Sequence, residues 1–403
     1  MNTNSGWLTA ALGGDRDVLR ERFPWAGMMA SCPQDSLYHA EGDVWTHTMM
    51  VMDGAEKRSH TLAGEPLGIM RLATLFHDSA KHDVTSIEWC DKENRERVKQ
   101  PGHAAKGADR AWRALIDAGF PVSDAREVVG ICQWHQRPSH IPEQPNQQGR
   151  VARFVAEGGR WDRLLAFCES DQEGRISPNV EEGLISLGIL RIDIEDLSSN
   201  LGFDLMSGES PDSPEWRVRL GLSFDADPFY APEHKQRPVL TVMSGLPGSG
   251  KSTIARGMGE RGAVIVSLDQ IRKEFKDYKR NQEFEGRCYQ EAASRLKQAL
   301  ASGKSVVWDA CCVDQRARGK VLAIGRAYDA LTTVISNDDP ANEAFERNSK
   351  RENPVPNHIM EAMANKREMV LSTEAHSVIS VRSGVMTDVS RRLASDAQPS
   401  PTP

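Results

Sequence analysis

Apolar residues recur at three- and four-residue intervals through 44–55, 67–76, 104–118 and 125–134, the spacing that lays one apolar face along a helix. Strand-like alternation is scarce from 37 to about 174, so this half is predicted to be an all-α bundle. The pattern then weakens. Residues 179–197 still permit a helix, but the Ser-Gly-Glu-Ser-Pro-Asp-Ser-Pro run at 207–214 and the prolines and charges of 225–238 are turn and linker chemistry. From 239 the pattern changes character. An apolar run breaking into glycines is followed by strand patterns at 263–267, 305–308 and 331–336. These alternate with helical patterns at 269–275, 283–301, 315–328, 341–350 and 357–369. That order predicts a parallel sheet flanked by helices, with a ligand at the carboxyl ends of its strands. Two domains are expected: an α bundle over 1–175 and an α/β domain over 238–390. A partly ordered connector over 176–237 joins them, and a Ser/Pro-rich tail over 391–403 is expected to be disordered.

Length and composition narrow the picture without redrawing it. A chain of 403 residues is long for one core. Its net charge of −7 argues against a broad basic surface coating nucleic acid, yet leaves room for an enzyme that grips a strand end with a few local arginines. The seven cysteines lack C-x-x-C spacing and read as reduced cytosolic thiols, with Cys311 and Cys312 as packing residues. No stretch is long enough to span a bilayer and no leader pattern opens the chain, so a cytoplasmic protein without a membrane partner is expected.

The glycine-rich run carries the first chemistry. Gly245, Gly250, Lys251 and Ser252 fit G-x-x-x-x-G-K-S, a phosphate-binding loop. Backbone N–H groups through Gly245, Gly248, Ser249, Gly250 and Thr253 are expected to curl round phosphate oxygens. Lys251 supplies charge to the β/γ-phosphates, and Ser252 offers a hydroxyl to Mg²⁺, so ATP or another NTP with Mg²⁺ is the expected cofactor. Beyond the second strand, Asp269 and Arg272 suit a general base and a clamp on an acceptor phosphate, against the alternative of an N-cap Asp beside a solvated Arg. Asp309 ends the next strand, where an acid positions Mg²⁺. Arg347 and Arg351 lie four apart, on a predicted helix face that can close over a triphosphate or be merely solvated.

The helical half carries a second set: His47, the pair His77-Asp78, His103, His135 and Asp171. Imidazoles and carboxylates from several helices can converge on a divalent cation inside a bundle. Histidine-rich ligation favours Mn, Ni, Co, Zn or Fe over Mg. His60, His82, His140 and His376 read as structural or solvent-facing.

The stretches YHAEGDVWTHT (38–48), LFHDSAKH (75–82), PGHAAKGADRA (101–111), ICQWH (131–135) and FCESDQEGR (167–175) resemble successive motifs of HD-superfamily phosphohydrolases, especially the HD module found with CCA-adding enzymes. The resemblance implies His47, His77, Asp78 and Asp171 as metal ligands. It further implies His103 and His135 on a second metal or the phosphate, and Lys81 neutralising substrate charge. GLPGSGKST, SLDQIR, WDACCVDQRAR and RNSKR followed by PVPNHIMEAM resemble the phage-type 5′-hydroxyl polynucleotide kinases. This second resemblance implies Asp269 as base on a 5′-OH, Arg272 on the acceptor, and Arg347 with Arg351 on ATP. The phage family's Asp-x-Asp phosphatase is missing, and the HD set stands on the other side of the chain.

The pairing resembles the bacterial HD-Pnk RNA end-healing enzymes, which implies RNA 5′ and 3′ termini as substrates, DNA 5′ ends as a further option, and an RNA ligase as functional partner. Two other readings fit the motifs. One is a nucleotide or small-molecule kinase fused to a metal-dependent nucleotidase; the other is a kinase with a non-catalytic regulatory HD domain.

Overall fold

The computed structural model describes residues 6–64, 66–230, 237–275 and 281–390. They form two compact units. One comprises the described residues through Pro211 together with Ser223–Phe229; the other comprises Asp212–Leu222 and the described residues from Tyr230 onward.

The first unit opens with three short helices, α1 (Gly6–Gly13), α2 (Arg16–Arg22) and α3 (Ala26–Ala30), ahead of the first helix that periodicity signals. They close over the bundle through aromatic edges: the Phe76 ring lies 5.7 Å from Trp7 and 5.3 Å from Phe23. α4 (Val44–Ser59) starts where Asp43 accepts the N–H of Thr46, an N-cap that ends the preceding loop. α5 (Leu67–His77) then runs to Asp78.

A hairpin follows, β1 (Ser86–Cys90) and β2 (Arg95–Lys99), paired antiparallel with Ser86 opposite Lys99. This corrects the all-α expectation for the unit. Ile87 and Trp89 are exposed, so the hairpin buries little of the apolar surface that makes strands legible. Cross-strand ion pairs such as Lys99 to Glu88 at 2.7 Å take its place.

The bundle continues with α6 (His103–Asp117), α7 (Val122–Trp134), a 3₁₀ turn at Pro138–Glu143, α8 (Gln147–Ala156), α9 (Trp161–Glu173) and α10 (Val180–Leu201). A Cβ at Gly107 would stand 2.8 Å from the Phe76 carbonyl oxygen, so only glycine lets α6 cross this close to the end of α5. That crossing brings His103 towards His77 and Asp78.

The connector differs most from expectation. α10 is a 22-residue helix that buries Leu187, Leu190, Ile194 and Leu197 against the first unit. α11 (Pro214–Leu222) belongs to the second unit, and Ser223–Phe229 returns to the first. In the described part of 176–237, α10 and Ser223–Phe229 pack within the first unit and α11 within the second. The rest of that call, at 231–236, and the tail expected at 391–403 lie outside the described residues.

The second unit alternates β3 (Val239–Ser244), α12 (Lys251–Glu260), β4 (Val264–Ser267), α13 (Leu268–Glu274), α14 (Gln282–Ala301), β5 (Val306–Asp309), α15 (Gln315–Ala327), β6 (Leu331–Asn337), α16 (Ala341–Ser349), α17 (Asn357–Asn365), β7 (Ser377–Arg382) and β8 (Val385–Asp388). Its sheet runs β4-β5-β3-β6-β7-β8 and is parallel except for β8, which pairs antiparallel with β7. The final two strands extend a sheet that sequence pattern left shorter. Leu240 and Val242 of β3 are fully buried with Trp308 of β5 and Val334 of β6. Register sets Ser267 beside Asp309 and Ser244 beside Ser336. The carboxyl ends of β3, β4, β5 and β6 therefore share one edge, where the phosphate loop opens.

Candidate functional site

The first unit gathers six ionisable side chains from its helices into a buried cluster. Asp78 is its hub. Its Oδ2 lies 3.2 Å from His77 Nε2 and 3.7 Å from His47 Nε2, while Oδ1 lies 3.1 Å from His103 Nε2 and 3.8 Å from His135 Nε2. Asp171 completes the first side, with Oδ1 at 3.0 Å from His47 Nε2 and 3.9 Å from His77 Nε2. The two oxygens of one carboxylate thus face two different pairs of imidazoles. Two overlapping triads result: His47, His77, Asp78 and Asp78, His103, His135.

Each of three rings is aimed by its own helix end. Nδ1 of His77, His103 and His135 lies 2.7 Å from the carbonyl oxygen three residues earlier, at Thr74, Gln100 and Cys132. A proton held there leaves Nε2 with its lone pair toward Asp78, and metal-ligating histidines characteristically bond their other ring nitrogen in this way. His77 Nε2, His103 Nε2 and Asp78 Oδ1 are buried and lack any hydrogen-bond partner. Buried polar atoms without partners are costly, and a divalent cation in each of the two triads would satisfy them. The donor set therefore fits one or two ions of the imidazole-preferring kind.

Electrostatics agree with that fit. Burial would raise the Asp78 carboxyl, but His77, Lys81 and the nearby His103 ring hold it well below the usual range. Burial would likewise raise Asp171, and Arg175 with His47 holds it down. Burial pushes His135 down to about 3, aided by His77 and His103, so its ring is neutral and free to ligate. His47 is the exception: burial opposes its charge, yet hydrogen bonds to Asp171 and Glu41 raise it above the ordinary value, so an ion there would displace a proton from its ring.

Lys81 pairs with Asp78 Oδ2 at 2.6 Å and donates to Gln34 Oε1 at 2.7 Å. It sits against a ligand carboxylate, where its charge also bears on any anion bound there. The motifs left three neighbours unremarked. Glu41 accepts from His47 Nδ1 at 3.0 Å and from His39 Nδ1 at 2.7 Å, and Arg175 pairs with Asp171. Nothing in helical periodicity marks Glu41 and His39, which sit in the loop before α4.

The second unit assembles the phosphate loop between β3 and α12. Gly245, Gly248 and Gly250 take positive φ. A Cβ at Gly248 would stand 2.6 Å from the Ala344 carbonyl oxygen, so the loop packs directly on α16. Lys251 Nζ donates back to Leu246 O at 2.6 Å and lies 3.4 Å from Ser249 Oγ. Ser252 Oγ donates to Asp309 Oδ1 at 3.2 Å, placing a hydroxyl and a carboxylate together at the sheet edge where Mg²⁺ ligation is expected. Asn337, unremarked in the sequence, donates from Nδ2 to Ser249 O at 2.9 Å. Thr253 follows in the first turn of α12.

Asp269 is in the first turn of α13; Ser267, not Asp269, is its N-cap. Asp269 accepts from Arg272 at 2.6 Å, and Arg272 also grips Glu285 at 2.7 Å. Arg347 reaches Asp339 Oδ2 at 3.1 Å and Glu343. The expected shared helix face is corrected: α16 ends at Ser349, and Arg351 lies beyond it, exposed, with its N–H on Asn348 O at 3.1 Å. Ser349-Lys350-Arg351 leads to Pro354 and Pro356, which end the helical run.

Residues 240–370 match the family described as AAA domain. The second unit is a P-loop α/β domain, and its phosphate loop implies ATP or another NTP with Mg²⁺. Among curated proteins, the chain is 27% identical over 162 residues to the Multifunctional CCA protein of Halorhodospira halophila, covering 39% of this chain and 36% of that one. It is 25% identical over 198 residues to the Multifunctional CCA protein of Acinetobacter baumannii strain AYE, covering 46% and 45%. The chain thus spans less than half the length of these relatives. Among solved structures, a chain of the Pnkp1/Rnl/Hen1 RNA repair complex is similar with 24% identity and a TM-score of 0.31, over 33% of this chain and 45% of that chain. A sugar kinase from a Janibacter species follows at 18% identity and 0.28, over 36% and 86%. No helix among the described residues is long and apolar enough to cross a membrane.

Proposed function

We propose that the chain heals broken RNA ends at two separate sites: a metal-dependent phosphohydrolase in the first unit and an NTP-dependent 5′-hydroxyl kinase in the second. The observation that supports this reading is the coexistence of two constellations suited to phosphate chemistry, Asp78 between its imidazole pairs and Ser252 against Asp309. The sequence likeness to proteins named for CCA, and the SLDQIR and RNSKR motifs, support a polynucleotide over a small molecule.

In the first unit, His47, His77, Asp78 and Asp171 would hold one ion and His103 and His135 a second, with Asp78 shared. Such ions supply acidified water and polarise phosphoryl oxygens when bound. The chain's own contribution is orientation: backbone carbonyls fix three rings, while Lys81 and Arg175 offset carboxylate charge. A 2′,3′-cyclic, 2′- or 3′-phosphate at an RNA end is the proposed substrate.

In the second unit, Lys251 leaves Leu246 O for the phosphates. Asp269 exchanges its bond to Arg272 for the proton of the attacking 5′-OH, and Arg272 takes the acceptor's phosphate. Arg347 and Arg351 close on the triphosphate. The products, a 3′-OH and a 5′-phosphate, are what an RNA ligase in the same cytoplasm would require.

End-group analysis tests this directly. One oligoribonucleotide with a 5′-OH and a 3′-phosphate is incubated with ATP, Mg²⁺ and Mn²⁺ or Ni²⁺. The expected product carries a 5′-phosphate and a 3′-OH. Phosphorylation of mononucleosides but not of the oligonucleotide would instead establish the small-molecule kinase.

A further inference from the structure

The first unit holds a second polar site that the metal cluster does not use. Immediately after the ligand His135, the chain turns through Gln136 and Arg137 into the 3₁₀ turn at Pro138–Glu143, and a cavity of about 300 Å³ opens there. Trp134, Gln136, Arg137, His140, Arg150 and Phe224 line it. That volume is at the small end of ligand sites, suited to a phosphate with a single sugar.

Its walls are cationic in a chain whose net charge is negative. Three guanidinium groups crowd one aromatic ring: Arg153, Arg150 and Arg137 lie 4.0, 4.9 and 5.7 Å from the centroid of Phe224. Arg137 also lies 4.5 Å from the ring centroid of Trp134. Cation–π contacts use guanidinium faces and leave the N–H edges to find acceptors.

Arg153 finds one in Glu157 at 2.8 Å. Glu157 also receives Trp134 Nε1 at 2.8 Å, so this acid is already engaged. Among the described residues, neither Arg137 nor Arg150 has a carboxylate within ion-pair distance; Arg150 reaches only the Pro145 carbonyl oxygen, at 3.4 Å. Two like charges held together over aromatic faces without an acid are an arrangement that an anion completes.

We propose that this cavity is an anion subsite for the phosphate of a nucleotide unit, with Arg137 and Arg150 donating to its oxygens. Gln136 and His140 are positioned to contact the attached sugar. Two sources supply such a phosphate: an internal phosphodiester of a strand or a free mononucleotide. The subsite deepens the end-healing reading, because a strand phosphate seated here would anchor RNA on the unit that carries the metal cluster. Anion binding itself does not require that reading.

Binding of the full chain to a fluorescent oligoribonucleotide, measured by anisotropy in chelator across a salt series, tests the subsite. Arg150→Gln and Arg137→Gln are each expected to weaken binding at least about tenfold and to flatten the salt slope by about one ion. Lys57→Gln, which removes an exposed charge elsewhere on the unit, is expected to change affinity less than about twofold. Competition by a mononucleotide and by inorganic phosphate separates the sources. Loss of oligonucleotide binding alone assigns the site to a strand, and parallel loss of mononucleotide binding assigns it to a single unit. Arg150→Gln leaves the Trp134 stack intact, so it remains informative if Arg137→Gln fails to fold. Wild-type affinity for all three probes in Arg150→Gln, or no binding of any probe by the wild type, overturns the subsite. Failure of the wild type to remove phosphate from RNA ends, with binding still lost in the variants, would sink the end-healing reading and leave the subsite standing.

Discussion

His47 Nε2 and Asp171 Oδ1 meet at 3.0 Å across 124 residues of chain. The contact exists because α4 and α9 pack against each other, and it joins the first metal-ligand candidate to the last. Asp171→Ala is expected to lower the metal content of the purified protein and to reduce phosphate release at least about hundredfold. It should also destabilise the unit by about 1–3 kcal/mol, since it strips the half-buried Arg175 of its carboxylate. Elemental analysis and urea unfolding read the two effects separately.

The two sites lie in different units, so their losses should separate. Asp78→Ala is expected to abolish phosphate removal and leave 5′-kinase activity within about twofold of wild type. Lys251→Ala is expected to do the reverse. Loss of both activities in each well-folded variant, by assay of the two end groups, would refute independent sites.

Acid should weaken the metal-free protein before its carboxylates titrate. Burial pushes His39 down to about 4 from an ordinary 6.5, despite its bond to Glu41. Between those values the unfolded chain binds a proton that the folded chain refuses, so stability falls as pH drops from about 6.5 toward 4. His135, pushed down to about 3, acts with the same sign. Chelator-treated wild type is expected to lose up to about 1.4 kcal/mol per pH unit for each such histidine, and His39→Gln should show a shallower slope in urea unfolding.

Arg318 is wholly buried in the second unit. It pairs with Glu374 at 2.8 Å and donates to the carbonyl oxygens of Val313 and Met369. Glu374→Ala would leave that charge without an acid and is expected to cost about 3–5 kcal/mol in the unfolding of this unit. Phosphate removal, proposed for the other unit, should persist below the lowered melting point.

Arg347 is held by Asp339, whereas Arg351 is exposed beyond the end of α16. If both close on the triphosphate, Arg351→Ala should lower kinase turnover at least about tenfold without changing the melting temperature. Asp339→Ala, which leaves Arg347 to Glu343 and also removes the acceptor of the Ser383 N–H, should instead lower stability. Single-turnover kinetics and thermal unfolding distinguish the two.

Local chemistry made much of this legible. The phosphate loop is a strand, a glycine-rich turn and a helix start contiguous in sequence, so its spacing reads directly as a backbone shape. The long amphipathic helices carry their burial pattern in every turn. The β1–β2 hairpin was silent because its strands leave Ile87 and Trp89 exposed, and periodicity detects only buried faces. α10 was undervalued because its exposed isoleucines, Ile185, Ile189 and Ile192, blur the stripe formed by Leu187, Leu190 and Ile194.

What the sequence by itself determined is the inventory: which residue types are present, on which kinds of element, and that a phosphate loop and a set of candidate metal ligands share one chain. What only the tertiary structure decided is adjacency. That Asp78 divides its oxygens between two imidazole pairs, that Glu41 backs His47, and that Arg137, Arg150 and Phe224 enclose one cavity are long-range facts. Their physical reason is that helix crossings, set by side-chain volumes many residues apart, fix where each charged group comes to rest.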